Sequence, residues 1–222
     1  MNLLAIDTST EVATVALAVH GTVYSEEQGS LREHAQFLLP MIERLLAAAE
    51  MNISQLDGIV FGCGPGSFTG LRITCSVAKA LAYAHDRPLF PVSSLAAIAQ
   101  SVYESQPKLS PETRVLAMID ARMHQVYWAD FGHELKATTE YVTAVGDICL
   151  PPTTPFVLAG VGFEHYIEQL PVSIRQQVSK QLVIFPTAKA MIQLVQSGHS
   201  KPVSAAEALP VYVRNQVTHG QN

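Results

Sequence analysis

The sequence predicts an α/β protein built as two related lobes. Two observations carry that expectation. The first half alternates β-rich and helical stretches in the order β-β-β-α-β-α, which pairs strands into a sheet and lays helices on its faces. The second half then opens as the first did: Val115-Leu116-Ala117-Met118-Ile119-Asp120 echoes Leu3-Leu4-Ala5-Ile6-Asp7, and a turn and a second β-rich run follow each. With 222 residues, 48% of them hydrophobic, the chain can fill such a core. The stretch 105–112, with two prolines, is the expected linker, which divides the chain into lobes 1–106 and 107–222.

Residues 3–8, 13–19 and 22–27 are short and β-rich, and His20-Gly21 is placed to make a tight turn between the last two. A helix follows, opened by a capping box of Ser30 and Glu33, whose side chains can each satisfy the other's backbone N–H. Ala35, Leu38, Leu39, Ile42, Leu45, Leu46 and Ala49 recur at the spacing of one buried helical face. Pro40 removes one hydrogen bond inside this helix and is expected to kink it. A second helix, expected over 71–84, is apolar nearly all round, with only a thin polar line at Arg72, Ser76 and Lys79. Such a helix is usually covered on more than one side. Residues 88–93 read as a strand and 94–103 as a helix. In the second half, 125–131 and 156–159 read as strands, 164–170 and 187–197 as helices, and 201–222 as a tail with a short strand at 210–213.

Only 15% of the residues are charged, low enough to suggest that a partner covers part of the surface. The formal charge of −5 and the scattering of 14 basic residues argue against independent nucleic-acid binding, which needs clustered Lys and Arg. Cys63, Cys75 and Cys149 are odd in number and widely spaced, so neither a disulfide framework nor a zinc site is indicated. The eight histidines include no pair three to five residues apart, the spacing a helical metal pair needs, and no metal is expected. No apolar run reaches membrane-spanning length and the start lacks the features of a signal peptide; the expectation is a cytoplasmic protein with no membrane contact.

The most informative stretch is Gly62-Cys63-Gly64-Pro65-Gly66-Ser67-Phe68-Thr69-Gly70-Leu71-Arg72, between a β-rich run and the second helix. Glycines allow close backbone approach, and N–H groups at a helix start can hold an anion. The stretch fails the strict phosphate patterns: Thr69-Gly70-Leu71 stands where a Walker loop needs Gly-Lys-Ser/Thr, and Thr69 stands where the dinucleotide fingerprint needs glycine. Pro65 and Thr69 flank Ser67 where a hydrolase elbow needs glycines. Tight helix–strand packing or partner contact is the preferred reading, with direct anion binding as the other. Asp7, followed by Thr8-Ser9-Thr10, lies where an actin-like ATPase would hold metal and phosphate, but no glycine follows it; none follows Asp120 either. Each Asp is expected to cap a turn. Phe37, Met41 and Ala48 lie beside the main stripe of the first helix, and partner burial is the preferred reading for that second face.

Leu4-Ala5-Ile6-Asp7-Thr8-Ser9-Thr10, the string from Gly64 to Arg72, Asp120-Ala121-Arg122-Met123 with Val126-Tyr127, and Pro210-Val211-Tyr212-Val213-Arg214 together resemble the TsaB (YeaZ) family of bacterial tRNA threonylcarbamoyladenosine biosynthesis proteins. The matches run from end to end. The resemblance implies two actin-like (ribonuclease-H-like, ASKHA) lobes with mixed β-sheets flanked by helices. It implies a non-catalytic scaffold beside a TsaD-like subunit, which transfers the threonylcarbamoyl group to the adenosine next to the anticodon in tRNAs reading codons that begin with A. TsaD carries a His-x-x-x-His metal motif that this sequence lacks. A TsaE-like ATPase is expected to join the complex, tRNA to be met only through it, and no cofactor to be held. The expected dimer surface is 30–50 with 71–84, used for a homodimer when the chain is alone and for the heterodimer otherwise. Phe37, Met41, Leu45, Arg72, Ser76 and Lys79 are the expected contacts. The alternative is a nucleotide-binding ATPase-like or glycoprotease-like enzyme, with Asp7, Thr8, Ser9, Gly64, Gly66, Ser67 and Asp120 near the nucleotide.

Overall fold

The computed structural model describes residues 1–29, 34–136, 138–150 and 155–213. The Ser30/Glu33 capping box and Arg214 lie outside the described residues. The first lobe holds β1 (Leu3–Asp7), β2 (Val12–Val19), β3 (Thr22–Gly29), α1 (His34–Ala48), β4 (Gly58–Gly64), α2 (Phe68–His85), β5 (Leu89–Ser93) and α3 (Ser94–Ser105). The second holds β6 (Arg114–Asp120), β7 (Gln125–Phe131), β8 (Tyr141–Ala144), β9 (Phe156–Val161), the short α4 (Val172–Arg175), β10 (Val178–Val183) and α5 (Ala188–Gln196). Single 3-10 turns occur at Ile53–Gln55 and Val145–Asp147, and a longer one at Glu164–Gln169.

The two sheets are topological copies. Their orders are β3-β2-β1-β4-β5 and β10-β9-β6-β7-β8. In each, the opening strand sits centrally, antiparallel to the strand after it and parallel to the one that returns across it. The His20-Gly21 turn joins β2 to β3 with both residues at positive φ, the geometry whose twist matches a hairpin. α1 runs unbroken through Pro40. The carbonyl that loses its usual helical donor to proline belongs to Gln36, an exposed residue.

Alternation along β1 divides the core. Leu3 and Ala5 face a layer between the sheets, where α3 and α5 lie with Val115, Ala117, Ile98 and Met191. Leu4 and Ile6 face the opposite side, under Leu38, Met41, Ile42 and Ala78 of α1 and α2. Both faces of β1 are therefore buried, which explains its continuous apolar run. A third cluster, including Trp128, Phe156 and Phe163, covers the outer face of the second sheet. Each lobe lends its last helix to the other. α3 packs on β6 and β9, while α5 packs on β1, β2 and β4, with Ala188 N donating to Thr14 Oγ1 at 3.1 Å.

Three sequence expectations are corrected. Residues 210–213 do not form a strand; one backbone bond, Val211 N to Cys63 O at 2.7 Å, holds them, while Val203 makes an isolated bridge to Leu89. Residues 164–169 form a 3-10 helix rather than an α-helix. α2 begins at Phe68, with Ser67 accepting from Gly70 N, so the end of the glycine string is the first turn of the helix. β8 and β10 had no sequence signal and are short edge strands.

Candidate functional site

Where β1 ends, the chain turns through Thr8, Ser9 and Thr10, and the glycine string lies directly against that turn. A Cβ on Gly70 would stand 1.8 Å from Thr8 O, and one on Gly66 would stand 2.3 Å from Ser9 O. Ser67 N donates to Ser9 O at 2.7 Å, and Thr8 Oγ1 bonds both Gly70 O and Thr74 Oγ1 at 2.7 Å. The glycines serve close backbone packing, which seats the first turn of α2 on the turn after β1.

Asp7 is fully buried. Its Oδ2 accepts from Ser9 N at 3.1 Å and Ser9 Oγ at 2.7 Å, whereas Oδ1 has no hydrogen-bond partner. A Cβ on Gly62 would fall 1.8 Å from that Oδ1. Burial pushes the carboxyl up to about 7, against the lowering effect of the two Ser9 bonds. An enclosed carboxyl of this kind caps its turn and has no open face toward a ligand.

Between the lobes lies a cleft of about 620 Å³. Ser9, Gly66 and Ser67 line one wall, Asp120, Tyr127 and His165 the other, and Val211 to Val213 one edge. Of the residues expected near a nucleotide, Ser9, Gly66, Ser67 and Asp120 therefore reach this cleft. Asp7 and Thr8 are buried beneath it, and Gly64 lies under the backbone of Val211, with 2.9 Å between a Cβ there and Val211 O. Asp120 accepts from Arg122 N at 2.8 Å and from Tyr166 Oη at 3.3 Å, with Arg122 Nη1 at 3.6 Å from Oδ2. Arg122, Met123 and His124 all stand at positive φ (64°, 54° and 59°), a run that L-residues adopt only at a cost. Among the described residues no serine or cysteine is hydrogen-bonded to a histidine, and no group of three or more His, Cys, Asp or Glu could hold a metal. No described helix is long and apolar enough to cross a membrane.

The second candidate surface is the outer face of α1 and α2. A groove of about 500 Å³ between them is lined by Leu39, Phe68, Thr69, Arg72, Ile73, Ser76 and Val77. Leu39 is 47% exposed and Tyr83, further along α2, 84%. Arg72 and Ser76 are exposed and line this groove. Phe37 is half-buried against the core. Met41 and Leu45 are at 0% and 7% exposure, so their expected place on the surface is corrected: they face β2 inside the lobe. The Lys79 ammonium is engaged within the chain, donating to Ala208 O at 3.1 Å. Sequence reasoning missed Leu39, Phe68 and Tyr83 on this face and Tyr212 beside it. Their signal was apolar bulk, which by itself does not distinguish core from surface.

Residues 23–206 match a family model described as tRNA N6-adenosine threonylcarbamoyltransferase, TsaD. A relative from Haemophilus influenzae, called tRNA threonylcarbamoyladenosine biosynthesis protein TsaB, is 34% identical across 98% of this chain and 95% of its own length. The protein of the same name from Escherichia coli is 33% identical over 98% and 96%. A solved structure, YeaZ from Pseudomonas aeruginosa, has 38% identity and a TM-score of 0.84, covering 95% of this chain and 99% of that one.

Proposed function

Because this chain belongs to the TsaB (YeaZ) family, we propose that it serves tRNA threonylcarbamoyladenosine biosynthesis as a non-catalytic scaffold that docks a TsaD-like subunit through the outer face of α1 and α2. One observation carries this reading: the apolar groove edged by Leu39 and Phe68 is open to solvent, while the loops that could do phosphate chemistry are packed against each other. Side chains of that kind at a groove are the usual anchors of a subunit interface. The same face would pair two copies when the chain is alone. A TsaE-like ATPase joins the assembly, tRNA is met only through it, and the setting is the cytoplasm. Residues 1–106 and 107–222 act as the two lobes, and only the first contributes the docking helices.

The test is association. Leu39→Asp places a charge in the groove without entering the core, since Leu39 is already half open. It should weaken binding to the TsaD-like subunit by about a hundredfold, roughly 3 kcal/mol, while leaving the melting temperature near wild type. Co-purification at wild-type yield would remove this surface from consideration. Reconstitution with TsaD, TsaE, tRNA and threonylcarbamoyl-adenylate should yield modified tRNA only when this chain is added.

The cleft supports a second reading, in which a nucleotide sits between the lobes near Ser9, Ser67 and Asp120. Calorimetry with ATP and Mg²⁺ on the isolated chain separates the two. The scaffold reading expects weak or no heat of binding, and turnover by the pure chain that is lost on Asp7→Ala would favour the enzyme.

A further inference from the structure

The docking face is built in part by a segment distant in sequence. After α5 the chain returns to the first lobe and runs along α2. Val203 bridges Leu89 at the edge of β5, and Ala208 is buried, its carbonyl accepting from Lys79 Nζ at 3.1 Å. Val211 N then bonds Cys63 O at 2.7 Å. Tyr212 arrives beside the first turn of α2. Its ring lies 5.4 Å from that of Phe68, and its Oη accepts from Arg72 Nε at 3.3 Å. The Arg72 guanidinium carbon in turn sits 3.9 Å from the centre of the Phe68 ring. Arg72 is thus held from two sides, by a cation–π contact and by a phenol oxygen. The bond to Tyr212 uses Nε, and among the described residues neither Nη donates a hydrogen bond.

We propose that residues 203–213 form a strap that presets the docking face, with Tyr212 as the positioning residue that fixes Arg72 for an acceptor on the docked subunit. The proposal rests on the reading of α1 and α2 as the docking surface and specifies what prepares it. The physical basis is preorganisation. A free arginine side chain loses much rotamer freedom when it is immobilised at an interface, and a side chain already held loses less. The fork of N–H donors that remains is suited to a carbonyl or carboxylate oxygen. Lys79 has a different part: its ammonium anchors the strap at Ala208 rather than meeting the partner.

Affinity variants on the full chain test this. Titration against the purified TsaD-like subunit, with sedimentation velocity for self-association, would compare wild type, Tyr212→Ala, Tyr212→Phe, Arg72→Ala, the Tyr212→Ala/Arg72→Ala double variant, and Leu39→Asp. Tyr212→Ala should weaken association about tenfold and Tyr212→Phe about threefold, the latter because the ring contact stays and only the acceptor is lost. The double variant should bind no more weakly than Arg72→Ala alone, since the effect of Tyr212 passes through Arg72. Wild-type or tighter binding by Tyr212→Ala, or losses that simply add in the double variant, would overturn the proposal. If Leu39→Asp weakens binding and Tyr212→Ala does not, the strap proposal falls alone. If Leu39→Asp binds as wild type, the docking surface falls and the strap proposal with it.

Discussion

The strands that end at Asp7 and Asp120 occupy equivalent places in two sheets of the same order, yet their surroundings differ sharply. In both lobes the returning parallel strand sets a glycine beside the aspartate: a Cβ on Gly62 would meet Asp7 Oδ1 at 1.8 Å, and one on Gly162 would meet Asp120 Cβ at 2.6 Å. The segment after that glycine is where the lobes part. In the first, the string continues through Gly64, Gly66 and Gly70 into the 18-residue α2, which is seated on Thr8, and Asp7 is fully buried. In the second, the chain passes only into the 3-10 turn Glu164–Gln169 and the four-residue α4, and Asp120 stays at the edge of the cleft. The two sheets share their strand order and differ in their coverings. Among the described residues only the first lobe carries long helices on its outer face, so the proposed docking helices belong to that lobe, with residues 203–213 laid beside them.

Breaking the closed side should have the largest effect. Gly70→Ala drives a methyl into the Thr8 carbonyl, backbone against backbone, and α2 must move to relieve it. We expect a loss of about 4 kcal/mol in urea unfolding, together with weaker partner binding because Phe68 and Arg72 move with the helix. The next effect is the titration of Asp7. Its carboxyl is raised from 3.8 to about 7, so the folded state holds a proton that the unfolded chain has released between those values. Stability from this group is full below about pH 4 and is lost as the pH rises through about 7. Asp7→Asn should flatten the fall in melting temperature between pH 4 and 8; an unchanged profile would show that the carboxyl is not closed in.

Smaller changes refine the contrast between the lobes. Thr74→Val removes the buried hydroxyl paired with Thr8 Oγ1 at 2.7 Å and should cost about 1.5 kcal/mol by denaturant melts. Tyr166→Phe removes the 3.3 Å bond to Asp120 at the open side and should cost less than about 0.5 kcal/mol in the same measurement. Equal costs for the two would contradict the difference in closure between the two aspartates.

The sequence and the structure diverge most usefully on α1. Leu39 and Met41 are both apolar, and two residues apart on a helix they point about 200° away from each other. A stripe through Leu38, Ile42, Leu45 and Leu46 is compatible with either neighbour facing inward. Packing on β2 puts Met41 inside and leaves Leu39 in the open groove. Edge strands escaped notice for a related reason. In β10, Val178-Ser179-Lys180-Gln181-Leu182-Val183, most side chains meet water, so the strand exists through its backbone pairing with β9 and leaves little apolar alternation to read. At residues 210–213 the local pattern misleads in the other direction: Val211 and Val213 give β propensity, yet among the described residues only Val211 finds a backbone partner.

The primary structure by itself determined the two-lobed plan, the central strands, most of the helices and the family, because those rest on local periodicity and on an unbroken string of particular residues. It also placed Asp7 and Asp120 at strand ends, since the echo between the two halves is written in consecutive positions. Only the tertiary structure decided that the glycine string closes against Thr8 and Ser9, that Met41 is core and Leu39 surface, and that Tyr212 comes to rest on Arg72. Each of those facts depends on a distance between segments remote along the chain, up to 140 residues for Arg72 and Tyr212. Such distances are set by how sheets and helices stack, and no local pattern of residues encodes them.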